Sequence, residues 1–426
     1  MDASSPSQAP RIVSLGCRLN GAESEAMRSL AAAAGLERVV IVNSCAVTNE
    51  AVRQTRQEIR RARRADPGAR IVVTGCAAQL DPDAFAAMAE VDAVLGNAEK
   101  LDARQWRRLA GETGQTSVVS DIMALRETAP HLIDGYGDRA RAFLQVQNGC
   151  DHRCTFCIIP FGRGPSRSTP VAIVVEQAQR LVAAGHKELV LTGVDITSWG
   201  ADLDGAPRLG ALVGAILDGA PGLFRLRLSS LDVAEIDAAL FERIAHDPRV
   251  APYLHLSLQA GDDIILKRMK RRHTRAEAIA FCERARRARP EIAFGADLIA
   301  GFPTETDAMF ERTLALIDDA DIAFAHIFPY SPRAGTPAAK MPPVAGVVVA
   351  ERARRLRECG EARLALRAKS RVGAVEDAVI ESGGRARLGD FCAVEINQGA
   401  TPGEVRKVRI DRAAGGRLYG ALDHGA

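Results

Sequence analysis

The 426-residue sequence has few aromatic side chains, no long apolar segment and little net charge. Aromatic residues make up 4% of the chain, and no apolar segment approaches the ~20 residues that a bilayer-spanning helix needs. Residues 1–6 lack the basic and apolar regions of a secretory signal, so we expect a cytoplasmic protein without membrane contact. The formal net charge of +3 is too small to indicate nucleic-acid binding by itself.

Disulfide bonds are not expected either, although the sequence contains nine cysteines. In a reducing cytoplasm, thiols remain free for packing, catalysis or metal binding. Six of the nine stand in patterns that suit metal binding. The other three, Cys282, Cys359 and Cys392, have no partner at metal-ligand spacing, and we interpret them as packing or surface residues.

Three of the six metal-type cysteines stand close together after an apolar, strand-like segment. Cys150, Cys154 and Cys157 have the spacing C-x3-C-x2-C and follow residues 142–146. A tight loop with these gaps can direct three thiolates to one point, and three ligands hold a cubane iron–sulfur cluster with one open iron. The alternatives are buried free thiols and a zinc site. Zinc normally takes four ligands, and the only nearby fourth candidate is His152.

The first third of the chain alternates predicted strands with predicted helices. The strands are expected at residues 11–17, 39–45, 70–76 and 93–96, with helices at 23–34, 49–64 and 82–89. This alternation predicts an open parallel sheet with helices on both faces, in which ligands lie beyond the carboxyl ends of the strands. Cys17, Cys45 and Cys76 follow the first three strands. They therefore predict a second three-thiolate cluster, with simple packing as the alternative.

The rest of the chain predicts two further domains. Six strand-like segments alternate with helices at residues 143–147, 188–192, 224–229, 253–259, 294–299 and 323–328. Six such units indicate an open, partial (β/α)6 barrel with its site at the carboxyl ends of the strands. The glycine-punctuated end of the chain favours a small β-barrel. The expected α/β architecture is a sheet domain at 10–135, the barrel at 139–350, a basic helix at 351–371 and the β domain at 372–426.

The cysteine motifs resemble those of a known family. Cys150, Cys154 and Cys157 are similar to the triad of the radical S-adenosylmethionine (SAM) enzymes. The sequences around Cys17 and Cys45 resemble the amino-terminal motifs of the methylthiotransferase branch, and residues 372–426 resemble its RNA-binding TRAM domain. The resemblance implies SAM and two 4Fe-4S clusters as cofactors. One cluster would cleave SAM to a 5′-deoxyadenosyl radical, and the other would handle the sulfur to be inserted.

The resemblance also implies roles for residues near the ends of the barrel strands. Arg163 and Arg167 would be cationic groups near the cluster and the substrate. Contacts with SAM are implied for Gly193, Arg227, Ser229, Gln259 and the turn formed by Gly301, Phe302 and Pro303. Arg227 and Ser229 would serve the carboxylate and the ribose, because a guanidinium fork matches a carboxylate. Thr304 stands where the family commonly has glycine, and His255 is interpreted as a core histidine.

The implied activity is insertion of a methylthio group at carbon 2 of an adenosine beside the anticodon of a tRNA. The motifs at residues 15–20 and 326–337 are most similar to the branch that acts on threonylcarbamoyladenosine. The alternatives are the isopentenyladenosine branch, a ribosomal-protein aspartate branch and an iron–sulfur RNA-binding protein without turnover. Expected partners are the anticodon stem-loop and an electron donor such as flavodoxin or ferredoxin, and the protein is expected to be a monomer.

Two clusters of basic residues are candidate contacts for RNA phosphates. The first comprises the arginines of the helix after Cys45: Arg53, Arg56, Arg60, Arg61, Arg63 and Arg64. The second lies in the carboxyl-terminal domain: Arg385, Arg387, Arg406, Lys407, Arg409 and Arg412. Clustered guanidinium groups suit the phosphate backbone. The alternatives are a solvated helix face for the first and a structural cap on the barrel for the second.

Overall fold

The structure is a computed structural model that describes residues 9–112, 114–126, 135–136, 140–397 and 399–423. These residues form an amino-terminal sheet unit, a central barrel and a carboxyl-terminal barrel. The boundary predicted at residue 139 and the end at residue 426 lie outside the described residues. No helix in the described part of the chain is both long enough and apolar enough to cross a membrane.

The amino-terminal unit is a parallel sheet of five strands in sequential order. The strands are β1 (Arg11–Ser14), β2 (Val39–Ser44), β3 (Arg70–Gly75), β4 (Ala93–Leu95) and β5 (Thr116–Val118). The helices are α1 (Arg18–Ala33), α2 (Asn49–Ala65), α3 (Cys76–Leu80), α4 (Pro82–Ala86) and α5 (Ala103–Gly111). Every residue of β2 is buried, as expected for a central strand that is covered on both faces. Helix α1 begins earlier than predicted, directly after Cys17.

The central barrel contains six parallel strands and one short hairpin. Its strands are β6 (Arg141–Gln145), the hairpin strands β7 (Gln147–Asn148) and β8 (Arg167–Ser168), β9 (Glu188–Thr192), β10 (Arg225–Leu228), β11 (Tyr253–Gln259), β12 (Ala293–Ala300) and β13 (Ile322–Pro329). Its helices are α6 (Ile159–Arg163), α7 (Val171–Ala183), α8 (Leu209–Gly219), α9 (Ala238–His246), α10 (Asp263–Met269), α11 (Arg275–Ala288) and α12 (Asp307–Asp319). Two isolated bridges join sheet β6-β9-β10 to sheet β11-β12-β13. The six strands form the predicted partial barrel.

Side chains alternate between the two faces of the barrel strands. Leu226 and Leu254 belong to the apolar core beneath the surrounding helices. The residues that follow them, Arg227 and His255, face the interior, which we call the lumen, and there His255 meets Asp297 of β12 at 2.9 Å. Successive residues of a strand point to opposite faces, so the polar residues of several strands meet inside the lumen.

The carboxyl-terminal unit is a closed five-stranded barrel that follows one long helix. The helix is α13 (Gly346–Ser370), and the strands are β14 (Val375–Glu381), β15 (Arg385–Arg387), β16 (Ala393–Ile396), β17 (Val405–Ala414) and β18 (Arg417–Leu422). Helix α13 packs on β13, where Gly360 allows close approach: a Cβ there would lie 2.8 Å from the Ala325 side chain. The observed order of units confirms the predicted fold class.

The carboxyl-terminal barrel closes the floor of the lumen, at the amino ends of the central strands. Phe391, in the loop before β16, stacks on Tyr253 with ring centroids 4.8 Å apart and meets Phe324 edge-on at 6.0 Å. Its φ of 76° lies in the left-handed region, which costs a bulky residue conformational energy that the surrounding contacts must offset. This unit therefore acts as a structural cap, and its RNA contact stays a prediction.

Candidate active site and cluster-binding residues

Backbone hydrogen bonds hold the loop that carries Cys150, Cys154 and Cys157, at its start and in the turn between the last two cysteines. The Cys150 amide donates to the Gly164 carbonyl at 3.1 Å, and the Cys157 amide donates to the Cys154 carbonyl at 3.1 Å. The three thiols are close enough to act electrostatically on one another. Burial raises the pKa of Cys157 to about 12, so the free thiol keeps its proton until a metal ion replaces it. The structure brings the predicted triad together.

His152 lies against two carboxylates, one of which, Asp195, also accepts from Cys150 Sγ at 3.8 Å. Its Nε2 lies 2.8 Å from Asp195 Oδ2 and 3.4 Å from Glu235 Oε2. Hydrogen bonds to both carboxylates raise the pKa of His152 to about 10. Its other ring nitrogen is engaged as well, because Arg272 Nη2 lies 2.7 Å from Nδ1, so His152 is not positioned as the fourth ligand that zinc would need beside the three thiols.

The number of thiols favours a cluster over a single zinc ion. Zinc normally takes four ligands, whereas three thiolates hold a cubane cluster with one open iron. The donor set of three thiolates therefore fits a 4Fe-4S cluster.

Cys17, Cys45 and Cys76 converge at the carboxyl edge of the amino-terminal sheet. Gly16, with φ 87°, passes so close to Cys45 that a Cβ at Gly16 would lie 2.6 Å from the Cys45 Sγ. Burial, together with the nearby thiols of Cys76 and Cys17, raises the pKa of Cys45 to about 11. These three thiolates form a second donor set of the same chemistry.

Arg163 touches the amino-terminal set of cysteines rather than the Cys150 loop. Its Nε donates to Cys76 Sγ at 3.1 Å, and its Nη2 donates to Glu23 Oε2 at 3.0 Å. Lys100 Nζ lies 2.6 Å from the same Glu23 oxygen and 2.6 Å from Asn97 Oδ1. Burial opposes ionisation of Glu23, but the charges of Arg163 and Lys100 hold its pKa below the ordinary value. Arg163 is the last residue of α6, the helix that begins two residues after Cys157. It therefore connects the Cys150 loop to the amino-terminal set of cysteines.

The sequence analysis missed the other members of this buried network. Glu23 and Lys100 are fully buried, and Asn97 is nearly so. No local signal marked them, because Glu25 stands two residues after Glu23 and Glu99 directly precedes Lys100. Arg167 plays a supporting part: its Nη1 donates to the Pro165 carbonyl at 2.6 Å and its Nη2 to the Arg163 carbonyl at 2.9 Å. It holds the loop and does not contact a cysteine.

Three residues predicted to contact SAM lie at the carboxyl ends of barrel strands. Gly193 follows β9, and a Cβ there would lie 2.9 Å from the Gln147 carbonyl. Gln147, which the sequence analysis did not select, accepts hydrogen bonds from the amides of the two residues after Gly193 at 3.0 and 2.9 Å. Ser229 follows β10, and Gln259 ends β11 with φ 68°. Their contacts with SAM stay predictions.

The prediction for Arg227 is wrong. Its guanidinium is fully buried at the floor of the lumen, where Nε and Nη2 donate to Glu188 at 2.8 and 3.0 Å. It also donates to the carbonyls of Gly389 and Leu388 at 2.9 and 3.1 Å. With its donors committed to Glu188 and the carboxyl-terminal barrel, Arg227 is not free to bind the carboxylate of SAM. Strand position alone could not reveal this, because Gly389 and Leu388 are about 160 residues away.

The turn at Gly301, Phe302 and Pro303 supports the Cys150 loop. The Phe302 ring is fully buried and meets Phe156, which lies between Cys154 and Cys157, edge-on at 6.4 Å. The ring therefore packs beneath the cluster loop, and contact of this turn with SAM stays a prediction. The φ of Thr304 is 70°, which explains why glycine is favoured at that position.

Family comparisons match the two cysteine-bearing units separately. Residues 144–317 match the Radical SAM superfamily, which brings with it the predicted SAM and 4Fe-4S chemistry. Residues 10–96 match Uncharacterized protein family UPF0004. The two matches cover the Cys150 loop and the Cys17, Cys45 and Cys76 set respectively.

Comparisons with whole proteins extend over most of the chain. It is 48% identical over 399 residues to the threonylcarbamoyladenosine tRNA methylthiotransferase MtaB of Rickettsia prowazekii, covering 94% of each protein. It is 37% identical to the protein of the same name from Bacillus subtilis, covering 77% of this chain and 74% of the relative. It is also 37% identical to the tRNA-2-methylthio-N(6)-dimethylallyladenosine synthase of Novosphingobium aromaticivorans, covering 84% of each.

A solved structure supports the fold at lower sequence similarity. The radical SAM methyltransferase TsrM of Kitasatospora setae aligns with a TM-score of 0.51 and 17% identity, covering 75% of this chain and 68% of TsrM. The predicted resemblance is thus confirmed by the sequence relatives, and the fold agrees with it. On these grounds, the chain belongs to the radical SAM methylthiotransferase family.

Proposed function

We propose that this protein inserts a methylthio group at carbon 2 of N6-threonylcarbamoyladenosine beside the anticodon of tRNA. The observation that carries the proposal is the presence of two separate three-cysteine sets linked by Arg163, which donates to Cys76 and follows Cys157. The relative with 48% identity over 94% of the chain is named for a tRNA methylthiotransferase acting on this nucleoside.

Each cysteine set has a distinct part in this proposal. Cys150, Cys154 and Cys157 hold the 4Fe-4S cluster that, when bound, supplies the electron for cleavage of SAM. Cys17, Cys45 and Cys76 hold the second cluster, on the side from which sulfur is delivered. Arg163 positions Cys76 and excludes water from its buried side. Radical chemistry suits this target, because the C–H bond at carbon 2 of adenine offers no proton that a side chain could remove as a base.

The RNA surface that we propose lies on α2 and the loop after β13. Arg53, Arg56, Arg60 and Arg333 border an open cavity of about 560 Å³. Arg333 is joined to Asn49 at the start of α2, so the two elements form one face. Arg63 does not belong to this face, because it donates to the carbonyls of Pro67 and Ala69 at 2.9 and 2.7 Å.

The carboxyl-terminal barrel supplies fewer candidate phosphate contacts than expected. Arg387 is held by Glu381, with its Nη2 2.8 Å from the carboxylate, and by the Phe391 carbonyl. Arg412 lies over the Tyr419 ring at 3.6 Å, and it borders an open polar cavity of about 510 Å³. A guanidinium on an aromatic ring can contact phosphate and stack with a base, so we propose Arg412 as the RNA contact of this unit.

The remaining elements of the proposal concern partners. We propose that the protein acts as a monomer in the cytoplasm on the anticodon stem-loop. An electron donor such as flavodoxin or ferredoxin would reduce the cluster at the Cys150 loop, whose Cys150, Cys154 and Cys157 are each partly exposed.

Nucleoside mass spectrometry of total tRNA from cells with and without this protein tests the proposal. We expect loss of 2-methylthio-N6-threonylcarbamoyladenosine and accumulation of the precursor without the methylthio group. Loss of the isopentenyl analogue instead would support the alternative substrate, which the Novosphingobium relative favours. If neither nucleoside changes, the tRNA assignment is wrong. Formation of 5′-deoxyadenosine by the anaerobic, reduced protein then separates an enzyme from an RNA-binding protein without turnover.

A further inference from the structure

Arg18 lies where the three units of the protein meet. It is the first residue of α1 and directly follows Cys17. Its guanidinium lies 5.7 Å from the centre of the Phe391 ring, and the charges of Asp297 and Glu188 act on it across the lumen. The side chain therefore extends from the amino-terminal unit into the lumen of the central barrel, above the floor that Phe391 forms.

Arg18 differs from its neighbours in having no carboxylate partner. Four guanidinium groups lie over the Phe391 ring, from Arg18, Arg141, Arg227 and Arg387. Arg141 and Arg387 each lie 2.8 Å from Glu381, and Arg227 lies 2.8 Å from Glu188. Among the residues that the structure describes, Arg18 makes no hydrogen bond and no ion pair.

The acidic side chains near Arg18 are already paired. Asp297 Oδ1 lies 2.9 Å from His255 Nε2 and 3.5 Å from His326 Nδ1. Glu188 is shared by Arg225 and Arg227, which lie 3.2 and 2.8 Å away. Arg18 is half-buried, and no carboxylate in contact balances its charge, so an anionic ligand would be favoured there. The lumen thus holds a site for one anionic group.

The position of Arg18 relates this anion site to the chemistry. Arg18 directly follows Cys17, and consecutive Cα atoms are about 3.8 Å apart. The guanidinium and one thiol of the Cys17, Cys45 and Cys76 set therefore belong to adjacent residues. Phe328, at the end of β13, is exposed, and so is His326 on the lumen face of the same strand. Residues two apart share one face of a strand, so a base that packs on Phe328 would place its substituent on the lumen side of β13, the side on which Arg18 lies.

We propose that Arg18 binds the carboxylate of the N6-threonylcarbamoyl group and so selects this substrate over the uncharged isopentenyl analogue. This inference rests on the proposed function, and it adds the residue that determines specificity. The carboxylate of SAM is the other carboxylate that the reaction brings to the barrel. The test must therefore distinguish these two sources.

The test compares ligands that differ only in this charge. Fluorescence anisotropy, without reductant, would measure binding of the cluster-loaded protein to an anticodon stem-loop that carries threonylcarbamoyladenosine or its methyl ester. The variants are Arg18→Gln and Arg18→Lys. The control is Arg28→Gln, an exposed arginine on the same helix that pairs with Glu25. Iron content would establish that each variant retains both clusters, and equilibrium dialysis would give the affinity for SAM.

The wild type and Arg28→Gln should bind the acid about 10- to 100-fold more tightly than the ester, the range for a hydrogen bond to a charged group. Arg18→Gln should bind both equally, and Arg18→Lys should recover part of the preference. An unchanged acid-to-ester ratio in Arg18→Gln would overturn the assignment. So would weaker SAM binding with that ratio intact, which would identify SAM as the ligand of Arg18.

Failure of the proposed function has a different signature. One outcome is that the reduced wild type modifies the stem-loop with isopentenyladenosine and not the one with threonylcarbamoyladenosine. In that case both the substrate assignment and the Arg18 inference are wrong. If the wild type modifies the threonylcarbamoyl substrate while Arg18→Gln discriminates acid from ester as the wild type does, only the Arg18 inference falls.

Discussion

Cys150, Cys154 and Cys157 lie in one loop, whereas Cys17, Cys45 and Cys76 come from the ends of three separate strands. The first set depends mainly on local backbone contacts, such as the hydrogen bonds from the Cys150 amide to the Gly164 carbonyl and from the Cys157 amide to the Cys154 carbonyl, both at 3.1 Å. The second set depends on the register of a whole sheet and on the buried charges of Glu23, Lys100 and Arg163. A local loop can adjust to a cofactor, but an assembled site requires the complete fold around it.

The largest test of this comparison removes one ligand from each set. Cys154→Ala should abolish formation of 5′-deoxyadenosine, and Cys76→Ala should abolish the methylthio product while 5′-deoxyadenosine is still formed. Each variant should lose about half of the iron, because two thiolates do not hold a cubane cluster securely. Iron and sulfide analysis with EPR spectroscopy would check this, and Cys282→Ala, in the core, is the matched control. Loss of both clusters from either variant would show that the two sets are not independent.

A smaller effect is expected from the buried charges that support the second set. Glu23→Gln leaves the cations of Lys100 and Arg163 together without their carboxylate, so the amino-terminal unit should lose about 3–5 kcal/mol of stability. Thermal unfolding followed by circular dichroism would show this loss as a lower midpoint. The EPR signal of the Cys150-loop cluster should remain.

The control for this prediction is Glu50→Gln on α2. Glu50 forms an exposed pair with Arg53 at 2.5 Å, and such pairs contribute little to stability, so its midpoint should not move measurably. Equal unfolding midpoints for Glu23→Gln and Glu50→Gln would show that the buried network does not stabilise the unit that carries Cys17, Cys45 and Cys76.

The same contrast explains how much could be predicted from the sequence. The Cys150 set could be recognised by spacing, and the strand pattern predicted the convergence of Cys17, Cys45 and Cys76, because equivalent ends of parallel strands meet at one edge. Arg227 was misassigned because its partners, Glu188 and the loop before β16, are distant in sequence. Glu23 and Lys100 were missed for the same reason: their pairing, at 2.6 Å, joins residues 77 positions apart.

The smallest predicted effect lies beneath the Cys150 loop, at the end of α10. Lys270 is exposed and has φ 58°, a left-handed conformation that costs a residue with a Cβ about 1–2 kcal/mol. Lys270→Gly removes that cost but adds freedom to the unfolded chain, so we expect a gain in stability of about 0.5–1 kcal/mol. The carbonyl of the preceding residue, Met269, accepts a hydrogen bond from the Thr155 amide of the Cys150 loop. Slower loss of the Cys150-loop cluster in air, with no change in the cluster held by Cys17, Cys45 and Cys76, would show that the backbone around the loop determines how firmly the first cluster is held. A gain shared by both clusters would instead show that the two sets are stabilised as one unit, against the comparison drawn above.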